Sequence, residues 1–382
     1  MSSRSGQYVL QSAGYKAFIP KPLQLKIPIK FNNELQLLLS KADRALARLD
    51  GVSYTLPNPD FFVAMYVKKE AVLSSQIEGT QASLVDVLEF EAGVKDVKKV
   101  QDVEEVINYV KAMNYGLDRL KKLPMSLRLI KEIHAVLLEG VRGSSKTPGE
   151  FRKTQNWVGP PGCLLKDATF VPPPPDEMIK AMGDLENFIH TKNPIPPLVK
   201  SALIHYQFET IHPFLDGNGR IGRLLITFHL CWEEILGRPL LYLSYYFKRS
   251  RQEYYDRLNL VREKDDFEGW IKFFLEGVLE VSEQATQTAR RIMALQKSNN
   301  DRLLKAGVAS PLSVALLENI FSYPIIDVTE VKKLLDTTYE TANSLVKKFE
   351  KAGILKEVTG KQRGRLYAYV DFLDIIAEGT KI

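Results

Sequence analysis

The sequence predicts an all-α protein: a helical core carrying one β-hairpin flap, followed by a C-terminal winged helix-turn-helix. Three observations lead there. Apolar residues recur at helical spacing through most of the chain. One segment, Thr147 to Pro175, breaks that spacing with Gly149, Gly159, Gly162 and the run Pro172–Pro175. From Pro311 onward the order of signals becomes helix, helix, turn, helix and two short strand-like runs.

Taken in order, Asn33 to Leu49 places Leu35, Leu38, Leu39, Ala42, Leu46 and Leu49 on one face, with Gly51 as a stop. Asn58 or Asp60 caps a second helix running to about Gly79. Ser83 to Ala92, Asp102 to Leu120 and Ser126 to Glu139 follow, the last with Ser126 as its N-cap. Arg152 to Val158 and Ala168 to Val171 read as two strands of a hairpin. Helices resume at Asp176 to His190, Pro197 to His212 and Asn218 to Leu236, and continue to about Arg290. Lys297 to Arg302 reads as a linker or a polar helix end. In the tail, Leu312 to Tyr323, Val328 to Leu335 and Tyr339 to Ala352 are helices, and Ile354 to Val358 with Leu366 to Val370 form a wing. There is no internal repeat. The implied domains are residues 1–115, 116–295 and 303–382.

The composition excludes several classes. The 382 residues are 45% hydrophobic and 26% charged, with 52 Lys+Arg against 46 Asp+Glu. Balanced charge with that apolar content argues against long disorder. Cys163 and Cys231 stand far apart with no CxxC, so neither a disulfide framework nor a cysteine zinc site organises the fold. Met1 to Pro20 lacks the apolar core of a signal peptide. Leu224 to Trp232 is too short to span a bilayer. The expectation is a cytoplasmic protein without membrane partners.

Chemistry concentrates at His212–Arg223, which reads HPFLDGNGRIGR. Pro213 disfavours helical geometry at the residue before it, so a helix ends at His212. Gly217 and Gly219 let the backbone bend and approach a ligand. The next helix then begins with unpaired N–H groups, an anion site. Arg220 and Arg223 share a face of its first turn, where cations are poorly placed by a few tenths to about 1 kcal/mol each. A phosphate in the bend reverses that sign, and Arg grips phosphate with a two-pronged fork. His212 titrates near neutrality and supplies a base. Asp216 is a single carboxylate beside the phosphate, the usual way Mg2+ is held. Gly217-x-Gly219-x-x-Gly222 also matches a dinucleotide fingerprint, but a helix and His-Pro precede it instead of a strand, so that reading fails.

These residues resemble the Fic family, whose motif is HPFx[DE]GNGRxxR; every fixed position is met. Thr147–Gly159 (TPGEFRKTQNWVG) resembles the segment before that family's flap, and Leu241–Ser244 with Tyr254 and Tyr255 resembles its later nucleotide region. The likeness covers roughly residues 60 to 290. It implies a helical core with a β-hairpin flap and transfer of AMP from ATP to a Ser, Thr or Tyr hydroxyl of a protein, with release of pyrophosphate. His212 would be the base and Asp216 would hold Mg2+. Gly217, Asn218, Gly219, Arg220, Ile221, Gly222 and Arg223 would contact the nucleotide. Tyr254 and Tyr255 would wall the adenine, with Arg249 and Ser250 as weaker members of that pocket. Ser74–Gly79 (SSQIEG) resembles the family's inhibitory pattern [ST]xxxE[GN]. Glu78 would then pair with Arg223 and block the γ-phosphate, with Ser74 opening the motif. The resemblance also implies self-modification and, in this subclass, removal of AMP.

Other readings stand beside these. His205 reads as a core histidine, and His134, His190 and His229 show no metal spacing. The flap offers a strand edge to an extended target segment, or is a plain surface hairpin. Lys347, Lys348, Lys351, Lys356, Lys361, Arg363 and Arg365 suit DNA phosphates, while Glu340, Glu350 and Glu357 dilute the patch and suit a protein contact or homodimer. The rival functions are transfer of UMP, phosphocholine or phosphate, and a DNA-binding regulator whose core senses a nucleotide.

Overall fold

The computed structural model describes residues 3–23, 29–56, 59–94, 99–160, 162–192 and 194–380. The chain opens with an antiparallel hairpin, β1 (Gly6–Leu10) and β2 (Lys16–Pro20), in register Gly6 with Pro20 through Leu10 with Lys16. Eleven helices follow among the described residues: α1 (Asn33–Ser53), α2 (Pro59–Ile77), α3 (Leu84–Glu91), α4 (Val100–Leu120), α5 (Leu127–Leu137), α6 (Pro175–His190), α7 (Pro197–Ile211), α8 (Asn218–Trp232), α9 (Ser244–Arg249), α10 (Arg251–Lys264) and α11 (Phe267–Lys305). The C-terminal part adds α12 (Pro311–Asn319), β3 (Ile325–Asp327), α13 (Val328–Leu334), α14 (Tyr339–Lys351), β4 (Lys356–Glu357), β5 (Leu366–Ala368) and α15 (Val370–Ile376). Its three strands form one antiparallel sheet in the order β3-β5-β4.

Local chemistry sets many helix starts. Asn32 accepts the Leu35 N–H, Ser126 that of Leu129, and Asp327 that of Glu330. Ser83 and Asp86 form a reciprocal capping box on α3. At the centre lies α7, buried on every side from Leu198 to Ile211, the behaviour of a helix apolar all round. It packs on α8, while α11 runs along α1 and reaches α7 through Trp270, whose indole N–H donates to the Ala202 carbonyl at 2.8 Å.

Several expectations need correction. Of the two readings of Lys297 to Arg302 the linker fails and the polar helix end fits, since the segment lies in the last turns of α11, where Asn299 is buried and its Nδ2 donates to the Tyr369 hydroxyl. Tertiary packing outweighs the polar composition. Gly51 does not stop α1, which runs to Ser53. The flap lacks two regular strands. Among the described residues Val158 and Phe170 form an isolated bridge and Leu165–Asp167 a single 3-10 turn, with irregular chain between them. The hairpin β1–β2 was not expected at all. It docks on the flap, where the Phe18 N–H donates to the Val171 carbonyl at 2.9 Å. Asn58 lies outside the described residues.

Candidate active site

The α7–α8 corner carries the chemistry. α7 ends at Ile211, and His212 caps it in the left-handed region at φ 49°, ψ 61°. Such a backbone costs a non-glycine residue about 1–3 kcal/mol and persists only where the surroundings impose it. They do so here through Arg152, which is fully buried. Its Nε donates to the His212 carbonyl at 3.0 Å and Nη1 to the Thr154 carbonyl at 3.2 Å, while Nη2 donates to the Pro173 carbonyl. The Arg152 N–H also donates to the Pro213 carbonyl at 2.9 Å. Asn156 Nδ2 donates to the His212 and Phe214 carbonyls at 3.2 and 2.8 Å. Replacing Arg152 with Met leaves the Thr154 and Pro173 carbonyls without this donor and the His212 carbonyl with Asn156 alone, and is expected to lower the unfolding free energy by about 2–3 kcal/mol, read by urea titration.

A third support is His134. The Gly149 N–H donates to its Nδ1 at 2.8 Å, so the ring proton sits on Nε2, which donates to the Asp216 carbonyl at 2.9 Å. Its ring stacks flat on Phe214, centroids 3.7 Å apart. Asn218 closes the turn by accepting the Phe214 N–H and donating back to the Phe214 carbonyl, both at 2.8 Å. The Asn218 side chain is therefore spent on the loop and leaves only its backbone for a phosphate.

His212 Nδ1 lies 3.3 Å from the Glu209 carbonyl, which can only accept. Nδ1 thus carries the proton and Nε2 keeps its lone pair, the arrangement a general base requires. Burial drives the His212 ring down to about 4, against the hydrogen bond to Glu209, so it is neutral at physiological pH.

Glu78 leans over the start of α8. A Cβ built on Gly219 would fall 2.2 Å from Glu78 Oε1 and 3.1 Å from Arg223 Nη1, so only glycine fits. Arg223 Nη2 donates to Glu78 Oε1 at 2.7 Å and to the Ser74 carbonyl at 2.9 Å, and Nε donates to Ser74 Oγ at 2.8 Å. Burial works to raise the Glu78 carboxyl, yet Arg223, with Arg220 and His212 beside it, holds it below its ordinary value. Arg223 is buried, and Glu78 keeps it charged. A carboxylate thus fills the anion position formed by the α8 N-terminus and Arg223. Glu78 comes just after α2 ends at Ile77, and Glu70, Ser74 and Glu78 follow at four-residue steps toward α8.

Arg220 is turned into the fold. Its guanidinium is buried, 3.5 Å from both Glu105 Oε2 and Asp216 Oδ1. Glu105 also takes Arg142 and the Thr80 hydroxyl, each at 3.1 Å. Asp216 accepts the Gly217 N–H at 2.6 Å and keeps a partly exposed carboxylate. Ile221 is in the core, and Gly222 is the contact point of α8 with α7, where a Cβ would meet Glu209 Oε1 at 2.2 Å. The Gly222 carbonyl accepts from His205 Nδ1 at 2.9 Å, leaving Nε2 to accept the Tyr254 hydroxyl at 2.8 Å. His205 is therefore the satisfied core histidine expected of it, and Tyr254 is buried. Tyr255 is half-buried and within electrostatic range of Glu78 and Arg223. Arg249 is engaged by Glu280 of α11, not by any loop residue. Arg152, Asn156, His134 and Glu105 were missed by sequence reading. Arg152 and Asn156 of TPGEFRKTQNWVG, quoted only as part of a likeness, were the available signals.

Burial holds four histidines low: His134 and His212 at about 4, His205 and His229 at about 3. An unfolded chain protonates these rings near pH 6.5, the folded chain only far lower. Their stabilisation is full above about pH 6.5 and is lost as pH falls toward 4. Burial pushes Glu70 and Glu209 up to about 7, which acts in the opposite sense with two protons against four. The urea midpoint is expected to fall between pH 6.5 and 4, at up to about 1.4 kcal/mol per pH unit for each unmatched proton.

Fold and site define a helical protein in which an arginine at a glycine-flanked helix start pairs with a carboxylate from just beyond another helix, with a neutral histidine on the same corner. The sequence profile of the Fic/DOC family N-terminal region matches residues 36–118 and that of the Fic/DOC family matches 124–230. The chain thus carries a Fic/DOC N-terminal region followed by a Fic/DOC domain. It is 34% identical over 209 residues to protein adenylyltransferase Fic of Drosophila grimshawi, covering 52% of this chain and 40% of that protein. To the same-named protein of Drosophila melanogaster it is 31% identical, covering 52% and 39%. The chain thus spans about two-fifths of the curated relatives it matches. A Fic family protein from Desulfovibrio desulfuricans G20 superposes with TM-score 0.61 at 19% identity, covering 90% of this chain and 97% of that one, and shows a shared fold. Among the described residues no helix is long and apolar enough to cross a membrane.

Proposed function

We propose that the protein transfers AMP from ATP to a hydroxyl of a target protein and that Glu78 restrains the reaction. One observation carries the reading: the Glu78 carboxylate stands at the α8 N-terminus on Arg223, where a terminal phosphate would lie, with the His212 lone pair on the same corner. The names of the fly relatives agree with it. In the proposed step the target oxygen bonds to the α-phosphorus and the bond to the bridging oxygen of the β-phosphate breaks. Pyrophosphate leaves, and the hydroxyl proton passes to His212 Nε2. The first N–H groups of α8 and Arg223 would hold phosphate oxygens.

A divalent ion suits this corner. Asp216 offers a partly exposed carboxylate oxygen beside the phosphate position, and Mg2+ is commonly held by one or two carboxylates with substrate phosphates. When bound, Mg2+ would offset charge growing on the leaving phosphates. Glu105, through Arg220, would steady Asp216 for that role. Tyr255 would face the nucleotide base. The basic residues of α14 and the β4–β5 wing would make residues 303–382 a winged helix for DNA or protein contact, and a cytoplasmic location is part of the same reading.

The test uses ATP labelled separately on its α- and γ-phosphates. Label from the α-phosphate is expected in protein and label from the γ-phosphate in pyrophosphate. Protein carrying the γ-label would replace the reading with phosphoryl transfer, and DNA retention with no label at all would favour a nucleotide-sensing regulator.

A further inference from the structure

A second cavity lies along α2, on the face next to the one that meets Arg223. Here α2, the approach to α9, α11 and the segment after α15 enclose a cavity of about 200 Å3. That is smaller than the usual 300–1000 Å3 ligand cleft, so a small occupant is called for. Tyr66, Tyr242 and Tyr245 supply flat walls, and Gln287 and Thr288 of α11 supply polar groups.

Two cations meet there. Lys69 of α2 is partly buried, with its amine 5.9 Å from the centre of the Tyr66 ring, and among the described residues it has no carboxylate within ion-pair distance. Burial pulls its amine down to about 8, with Glu378 opposing and Arg291 assisting. Arg291 of α11 pairs with Glu378 at 2.7 Å, but both side chains stand at the rim, 46% and 66% exposed, so this pair is weak and replaceable. The cavity therefore carries one positive charge beyond what its own acid neutralises. A sheltered cation without a countercharge is unfavourable, and an anion relieves it.

The cavity also touches the inhibitory segment. Leu73 lines it, and the next residue, Ser74, about 100° further round α2, holds Arg223. Gln76 Nε2 donates to the Thr380 carbonyl at 3.0 Å, and Thr380 is buried. A Cβ on Gly379 would fall 2.4 Å from Tyr245, so the chain passes tightly over the cavity mouth. Lys69 and Ser74 thus ride on one helix, Glu78 follows directly after its last residue, and Thr380 ties down the helix end through Gln76.

We propose that this cavity binds a small oxyanion, a phosphate or carboxylate on a short body, between Lys69 and Arg291, and that binding ties α2 to α11 and keeps Glu78 on Arg223. The second clause rests on the inhibitory role proposed above for Glu78; the first does not.

The experiment follows the thermal midpoint of the full chain with inorganic phosphate and, separately, with succinate. Either probe is expected to raise the midpoint by a few degrees in the parent and in Glu78→Gly, and much less in Lys69→Met and Arg291→Gln. The arm that responds tells phosphate from carboxylate chemistry. The same probe is expected to slow transfer several-fold in the parent but not in Lys69→Met, which controls for competition at the α8 site. No rise in the parent with either probe, or an equal rise in both cavity variants, overturns the site. Equal slowing in parent and Lys69→Met overturns the link to Glu78. The midpoint is read without any transfer, so failure of the site and failure of the transferase reading are distinguishable.

Discussion

Replacing Glu78 with glycine is expected to raise AMP transfer, including self-modification, by at least about tenfold, the equivalent of 1.4 kcal/mol. The expectation follows from competition for one position. Glu78 Oε1 lies against Gly219 and 2.7 Å from Arg223 Nη2, so a phosphate cannot reach both the α8 N–H groups and Arg223 while the carboxylate stays. Removing it frees both. Residue 78 lies beyond the last residue of α2, so glycine there carries no helix-interior penalty. The variant nevertheless leaves Arg223 buried with Ser74 alone, and a loss of about 1–3 kcal/mol in stability is expected. Activity rising while stability falls is the signature of a restraint. Label incorporation from α-labelled ATP and a urea titration measure the two. An unchanged rate removes the inhibitory role.

The second large effect is at His212. Its substitution by alanine is expected to lower transfer by about 10^2–10^4, the usual contribution of a positioned base, while ATP binding measured by calorimetry is retained. The ring is neutral to well below its ordinary pKa because burial opposes its charge. No acid limb in the rate is therefore expected near pH 6.5; if His212 governs the profile, the rate declines only toward about pH 4. Weaker ATP binding with an unchanged rate at saturation would make His212 a binding group instead.

The corner at His212 was legible because its causes are local. Pro213 ends α7, Gly217 accepts φ 78°, and the two arginines needed a countercharge. That Glu78 meets Arg223 rested on a six-residue likeness, and the geometry of the pair bears on it directly. What holds His212 in its left-handed conformation was not legible. Arg152 and His134 reach the loop from 60 and 82 residues away, and nothing in spacing or periodicity marks a buried side chain that binds carbonyls. The inward pull on Arg220 was hidden for the same reason, since Glu105, 3.5 Å from its guanidinium, sits on α4. α7 shows no amphipathic stripe because it is buried all round, so its faces had no readable order. β1–β2 escaped notice because short strands acquire meaning only from a partner, here the flap at Val171.

The most direct measurement compares intact masses after incubation with ATP and Mg2+ for two proteins, Glu78→Gly and the double variant Glu78→Gly with His212→Ala. An AMP-sized increment on the first and none on the second is the expected result. Equal increments on both, a phosphate-sized increment, or no increment on either would contradict the view that Glu78 guards a nucleotide-transfer site served by His212.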